Sequence, residues 1–199
     1  PCSVLQLKLL RYLDASSLPI TSLPESFHSL QNMETLILSN CALETLPDSI
    51  CSLNKLGYLD LAGNARFSKL PDNFHLLSKL IFLNMSSCSK LTKLPDKFSL
   101  ECLEHLNLSG CHELKNHPQD FGNLQNLRFL NLSDCYKISV LPESFCLLNH
   151  LKDLNLSDCR ALILLPECFG DLSDLESLNL TSCPRLARLP ESVCKMTNL

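Results

Sequence analysis

Twelve cysteines and six histidines are the residues of this 199-residue chain best suited to chemistry. Thiols at that density serve as disulfides in a short secreted chain, and as metal ligands or nucleophiles in an intracellular one. Their spacing separates these readings. Cys88, Cys111, Cys135, Cys159 and Cys183 recur every 23 or 24 residues, and Cys41 and Asn64 extend the series backwards. On neighbouring in-register strands ~4.8 Å apart, such a column keeps its Cβ vectors parallel, farther apart than the ~3.8 Å a bridge prefers. Zinc needs four converging ligands, which a parallel column does not offer. The position instead suits a small, buried, weak S–H donor that closes the turn after each strand. Cys2, Cys51, Cys102, Cys146, Cys168 and Cys194 lie outside the column and show no pairing pattern, so nearly twelve free thiols are expected. Cys111, His112 and His117 lack a second Cys-x-x-Cys arm. No thiol combines exposure with a basic partner, and no glycine-rich phosphate loop occurs. No catalytic residue, metal or cofactor is expected.

The elements that carry these columns are eight copies of one unit, starting at Leu10, Met33, Leu56, Leu80, Leu103, Leu127, Leu151 and Leu175. From Leu127 the unit reads LRFLNLSDCYKISVLPESFCLLNH. Leu130 and Leu132 alternate with Phe129, Asn131 and Ser133, the period of a strand with one buried face. Leu141-Pro142-Glu143-Ser144-Phe145 follows; Pro and then an acid open a helix of one or two turns, of α or 3₁₀ type, with Phe145 and Leu148 facing inward. No unit can bury its leucines alone, so the units must stack. The fold expected is an α/β solenoid of about eight 23–24-residue repeats forming a single domain over residues 1–199. It should be right-handed and curved, with a concave parallel sheet and short convex helices or turns. Local irregularity is expected at Leu18, which holds the Cys position of the first unit, at His117, and near Phe98-Ser99-Leu100, where the fourth unit is one residue short. Neither end resembles a polar cap, so a stretch of a longer array is expected.

Composition narrows the function. An apolar content of 45% is too high for a disordered chain, and a net charge of −4 has the wrong sign for meeting phosphates. No apolar run approaches the ~20 residues of a membrane helix.

This pattern resembles the leucine-rich repeat over essentially the whole chain. The Leu-Pro-x-x-Phe/Ile element, with Cys where Asn is usual, looks like plant intracellular repeats, above all those of nucleotide-binding disease resistance receptors. Secreted plant repeats carry a Gly-x-Ile-Pro element, which is absent here. Bacterial ubiquitin-ligase repeats share Leu-Pro but are shorter. The resemblance implies a horseshoe fold and a non-enzymatic recognition module that senses a ligand and holds a receptor inactive. Its partner would be a pathogen effector, a host target or its own nucleotide-binding domain. Two alternatives remain: a constitutive intracellular scaffold like the Ras-group repeat proteins, and the substrate-recognition arm of an attached enzyme.

Outward positions that differ between units are free to carry specificity. One strand column reads Asp14, Ile37, Asp60, Asn84, Asn107, Asn131, Asn155, Asn179, an amide ladder of structural or weakly polar character. Its asparagines form Asn-x-Ser/Thr sequons in five adjacent units, and glycans stacked every ~4.8 Å on a concave sheet would collide. With so many unpaired thiols, this points to a reducing compartment, cytoplasmic or nuclear. The next column reads Tyr12, Thr35, Tyr58, Phe82, His105, Phe129, Asp153, Ser177. Tyr12, Tyr58, Phe82, His105 and Phe129, with Asn84, Asn107 and Asn131 beside them, form the candidate partner-binding face; contact with a partner and stacking along the sheet both account for the rings. Arg66, Lys69, Lys90, Lys93, Lys137 and Arg160 follow one rim, either as a contact rim or as solvated loop charge. Glu25, Asp48, Asp72, Asp96, Glu143, Glu167 and Glu191, with Gln119 the exception, follow each Pro and are explained by helix-start stabilisation.

Overall fold

The computed structural model describes residues 6–115 and 121–199; Cys2, His117 and Gln119 lie outside the described residues. Eight strands of three residues each form one parallel sheet in chain order: β1 (Tyr12–Asp14), β2 (Thr35–Ile37), β3 (Tyr58–Asp60), β4 (Phe82–Asn84), β5 (His105–Asn107), β6 (Phe129–Asn131), β7 (Asp153–Asn155) and β8 (Ser177–Asn179). The register sets each residue beside its counterpart in the next unit, so Leu36, Leu59, Leu83, Leu106 and Leu130 form one fully buried row. Their flanking residues face outward, as the two-residue period requires.

The strands stop because the chain turns on its own side chains. The oxygen of the third strand residue accepts a hydrogen bond from the backbone N–H two residues on. Asp14, Asp60, Asn84, Asn107, Asn131, Asn155 and Asn179 all do so, at 2.9–3.1 Å. The turn then passes through the left-handed region at Ser17, Asn40, Gly63, Ser87, Gly110, Asp134, Asp158 and Ser182, with φ between 53° and 72°. These are residue types whose short side chains, or lack of one, tolerate that conformation.

The column residue comes next. Cys88, Cys111, Cys135 and Cys159 are fully buried, and each donates its S–H to a strand-end carbonyl of the preceding unit, on Leu61, Met85, Leu108 and Leu132, at 3.2–3.3 Å. Half-buried Cys41 and Cys183 do the same toward Ala15 and Leu156. Asn64 replaces the thiol with an amide that donates to Leu38 and Leu61 carbonyls and accepts from Leu43 N–H. Behind the column, Phe27, Ile50, Phe74, Phe98, Phe121, Phe145 and Phe169 fill the space between sheet and return segment. Rings of adjacent units lie nearly parallel, with centroids 6.3 Å apart for Phe74–Phe98 and 5.9 Å for Phe121–Phe145.

The return segments are 3₁₀ turns at Glu25–Ser29, Asp48–Ser52, Phe74–Leu76, Phe121–Asn123, Glu143–Leu147, Phe169–Asp171 and Glu191–Lys195. Pro24, Pro47, Pro142 and Pro190 precede the five-residue ones, and an acid opens each, as expected. In the third and seventh units the turn starts two residues later, leaving Asp72 and Glu167 ahead of it. The fourth unit, shortened near Phe98, forms no such turn. Leu18 is half exposed, in contrast to the buried thiols farther along. Successive return segments pack closely: a Cβ on Gly122 would meet Ser144 O at 2.1 Å, and one on Gly170 would meet Ser192 O at 2.0 Å.

One expectation is overturned. Cys146 and Cys168 form a disulfide, with Cα atoms 5.8 Å apart, and nine cysteines are free among the described residues. The pair lies not in the parallel column but on the convex junction between the sixth and seventh units, where the two side chains approach from different positions of the repeat.

Replacing Asn64 by Ala leaves Leu43 N–H and the Leu38 carbonyl without this partner and costs about 3 kcal/mol. Asn64→Cys costs less, because a thiol keeps the carbonyl bond made in the other units. Phe145→Ala costs about 3–5 kcal/mol by opening a cavity in the ring row. Urea unfolding monitored by circular dichroism checks all three.

Candidate protein-recognition face

The two-residue period that sends Leu59, Leu83, Leu106 and Leu130 inward sends Tyr58, Phe82, His105 and Phe129 outward, and the in-register pairing sets these four rings side by side. Tyr58 and Phe82 stack face to face, with centroids 4.2 Å apart and planes within 1°. Phe82–His105 and His105–Phe129 are tilted contacts at 6.0 and 5.9 Å. Burial, and secondarily the nearby Asp60 and Tyr12, pushes the Tyr58 phenol above its ordinary value, so the ring is a neutral hydroxyl donor at physiological pH. Tyr12 is 57% exposed and lies two strands from Tyr58, with Thr35 between them, so it stands apart from the contiguous four. At the other end the row continues into Asp153 and Ser177, where the face turns polar.

Asn84, Asn107 and Asn131 flank the rings, half buried. Their side-chain oxygens are engaged in the turns described above, which gives this column a structural role in ending each strand.

The position before each strand forms a rim that sequence reasoning missed. It reads Arg11, Glu34, Gly57, Ile81, Glu104, Arg128, Lys152, Glu176. Arg11 pairs with Glu34 at 3.6 Å, Arg128 with Glu104 at 3.5 Å and Lys152 with Glu176 at 2.6 Å. Gly57 and Ile81, the neutral members, lie beside Tyr58 and Phe82, and Ile81 is 46% exposed. An apolar centre is thereby bounded by compensated charge, and the presence of an opposite charge one repeat away from Arg11, Arg128 and Lys152 was the available signal. Exposed pairs of this kind add little stability, so their effect is on the surface potential.

Three of the six basic residues on the rim beyond the turns are paired with acids. Arg66 pairs with Glu44 at 2.9 Å, Lys93 with Asp96 at 3.5 Å, and Lys137 with Glu113. The Lys137 hydrogen bond holds the Glu113 carboxyl below its usual range, with Lys90 and Lys115 adding to the effect. Arg160 sits 4.5 Å over the Tyr136 ring, whose other neighbour is the His112 imidazole, stacked at 4.6 Å. Lys69 borders a polar groove shared with Glu25, Asp48 and Asp72.

The column thiols have no place in a reactive site. Burial pushes Cys88 and Cys159 up to about 12, and raises Cys111 and Cys135 further. The described residues include no helix long and apolar enough to cross a membrane.

Comparison with known proteins bears on this arrangement. Residues 3–96 match the family described as Leucine-rich repeat region, and residues 102–124, 126–148 and 150–172 match Leucine Rich Repeat. A candidate disease resistance protein of Arabidopsis thaliana is 58% identical over 41 residues, which is 21% of this chain and 3% of that protein. Among solved structures, the leucine-rich repeat domain of the type III effector XopL superposes with a TM-score of 0.72 at 26% identity, over 98% of this chain and 78% of that one. A TDR receptor gives 0.71 at 25%, over 100% and 39%. A Leptospira interrogans leucine-rich repeat protein gives 0.67 at 24%, over 100% and 61%, which bears on fold alone.

The raised thiols predict alkaline instability. Below about pH 9 Cys88, Cys111, Cys135 and Cys159 are protonated in folded and unfolded chains alike and contribute no slope. Above it the unfolded chain sheds protons that the folded chain retains until near pH 12, so stability falls as pH rises through that window. Urea midpoints should decline from pH 8 to pH 10.5, and less so in a Cys88→Ala/Cys159→Ala variant.

Proposed function

Since the chain belongs to the leucine-rich repeat family, we propose that its concave sheet is a protein-recognition surface, with Tyr58, Phe82, His105 and Phe129 as its centre. One observation carries this: four contiguous rings lie on the solvent face of the sheet, bounded by paired charges. Aromatic side chains dominate binding hot spots because they desolvate much apolar area at small entropic cost, and a near-neutral rim excludes water around them. Repeat domains of this family are typically non-catalytic, and no constellation of nucleophile and base is found among the described residues.

The short match to a plant resistance protein favours a finer reading, in which this module senses a pathogen or pest effector, or a host target, and restrains a neighbouring nucleotide-binding domain. Because the chain spans 3% of that relative, its receptor role is an extension of the local likeness. The reading places the protein inside the cell. The five sequon asparagines use their side-chain oxygens to end the strands, and their crowding leaves no room for stacked glycans. A constitutive scaffold is the second reading, favoured by the flush Tyr58–Phe82 stack, which serves sheet packing without any partner.

The discriminating variant is Tyr58→Ser with Phe82→Ser and Phe129→Ser. The proposal expects proteins captured from plant extract by the wild-type chain to be lost, with weakening of at least about 100-fold for any one partner, while circular dichroism is retained. An unchanged captured set from the folded variant would assign the rings to sheet packing.

A further inference from the structure

At three junctions on the convex side, the residue after an inward Phe meets the residue before the inward Phe or Val of the next unit. Gly122 abuts Ser144 in this way, and Gly170 abuts Ser192, whose hydroxyl accepts from Gly170 N–H at 2.9 Å. Between these two junctions the same pair of positions holds Cys146 and Cys168, and there they are covalently joined. The setting of these sulfurs differs from that of the column. The column thiols Cys88, Cys111, Cys135 and Cys159 are buried, bonded to carbonyls and held protonated. Cys168 is partly exposed, whereas Cys146 is 5% exposed. A Glu143 carboxylate oxygen lies 3.1 Å from Cys168 Sγ, and both sulfurs and the carboxylate fall within 4.8 Å of one another.

We propose that Cys146–Cys168 is a thiol–disulfide exchange site, opened by a dithiol and closed again by the reverse exchange with that dithiol's disulfide form, that sets the tightness of the junction between the sixth and seventh repeats. A thiolate of the reductant attacks the accessible Cys168 Sγ. The disulfide bond breaks, its electron pair leaves on Cys146 Sγ, and that sulfur takes up a proton. The reductant's second thiolate then attacks its own sulfur in the mixed disulfide and releases Cys168, which is protonated in turn. Two electrons pass to the protein pair, and the reductant leaves as a disulfide. Accessibility sets the direction of attack: Cys168 is the more exposed sulfur, so Cys146 is the leaving group. After reduction the Glu143 carboxylate, 3.1 Å away, offers the Cys168 S–H an acceptor.

The structural consequence follows from position. Strands β6 and β7 tie the two repeats on the concave side, and the disulfide ties them on the convex side across 22 residues of chain. Once it opens, the return side is held by the Val140–Leu164 backbone bridge, with Ile163 N–H donating to Ser139 O at 2.9 Å, and by packing, including Phe145 against Phe169 at 6.5 Å. That junction lies behind the point where the outward row passes from Phe129 to Asp153, so the exchange site backs onto the end of the aromatic stripe.

The test uses the purified chain equilibrated with oxidised and reduced dithiothreitol. Alkylation in denaturant followed by peptide mapping should find one cross-link, Cys146 to Cys168, in the oxidised sample. After reduction under native conditions, maleimide should label Cys168 and Cys146 at least tenfold faster than Cys88, Cys111, Cys135 and Cys159. Hydrogen exchange across residues 143–171 should rise on reduction while the second to fourth repeats stay unchanged, and C168S should show the reduced pattern in either condition. Three results would overturn the proposal: both cysteines recovered as separate thiols from the oxidised sample, identical exchange patterns in the two redox states, or a reduced pair that retains zinc one-to-one and resists labelling. Should C168S fail to fold, the wild-type comparison decides alone.

Discussion

A sheet whose strands are three residues long makes few backbone bonds per neighbour, so each coil must be held to the next by whatever fills the space behind the sheet. That constraint governs this molecule. Each turn after a strand leaves a carbonyl facing the interior, and an unpaired carbonyl there costs more than the bond that satisfies it contributes. The column residue resolves this by reaching back one repeat: a thiol in six units, and the Asn64 amide in one. Because the bond crosses between repeats, it aligns them as well as satisfying a buried group. The aromatic row behind it sets the spacing, and the leucine row closes the sheet side.

The same constraint leaves the outer face free. Once the inward positions are committed to leucine, phenylalanine and cysteine, outward residues change from repeat to repeat at little cost to the fold. Rings accumulate on β3 to β6 and stop at β7. Beside them the charged residues of the entry rim are paired acid to base between repeats, so the surface offers apolar area without a strong net field. The two sides of the solenoid therefore differ in kind. The concave side presents a charge-compensated aromatic patch, while the convex side carries a covalent tie at one junction and close backbone approach at its neighbours.

Much of this was legible in the residue order. The 23–24-residue period, the inward leucines, the Pro-acid turn openings and the turn-closing role of the cysteine column all follow from the fact that a stacked repeat must place equivalent atoms above one another. The irregular fourth unit was also legible, since one missing residue near Phe98 removes the length a 3₁₀ turn needs. Within the candidate site, the contiguity of Tyr58, Phe82, His105 and Phe129 was readable from the register alone, as was the separation of Tyr12 by Thr35.

Cys146 and Cys168 illustrate where that reasoning stops. They occupy different positions within the repeat, so periodicity offers no reason to pair them. Only the tilt of one return segment against the next brings a residue after Phe145 onto a residue before Phe169. The cross-repeat ion pairs and the His112–Tyr136–Arg160 stack are of the same kind, because they depend on which way long side chains lean between coils. The sequence by itself determined the period, the buried set and the face each strand residue takes, because those depend on backbone geometry that every repeat shares. Which off-register side chains meet was decided by the tertiary structure, because that depends on distances between coils that no single repeat contains.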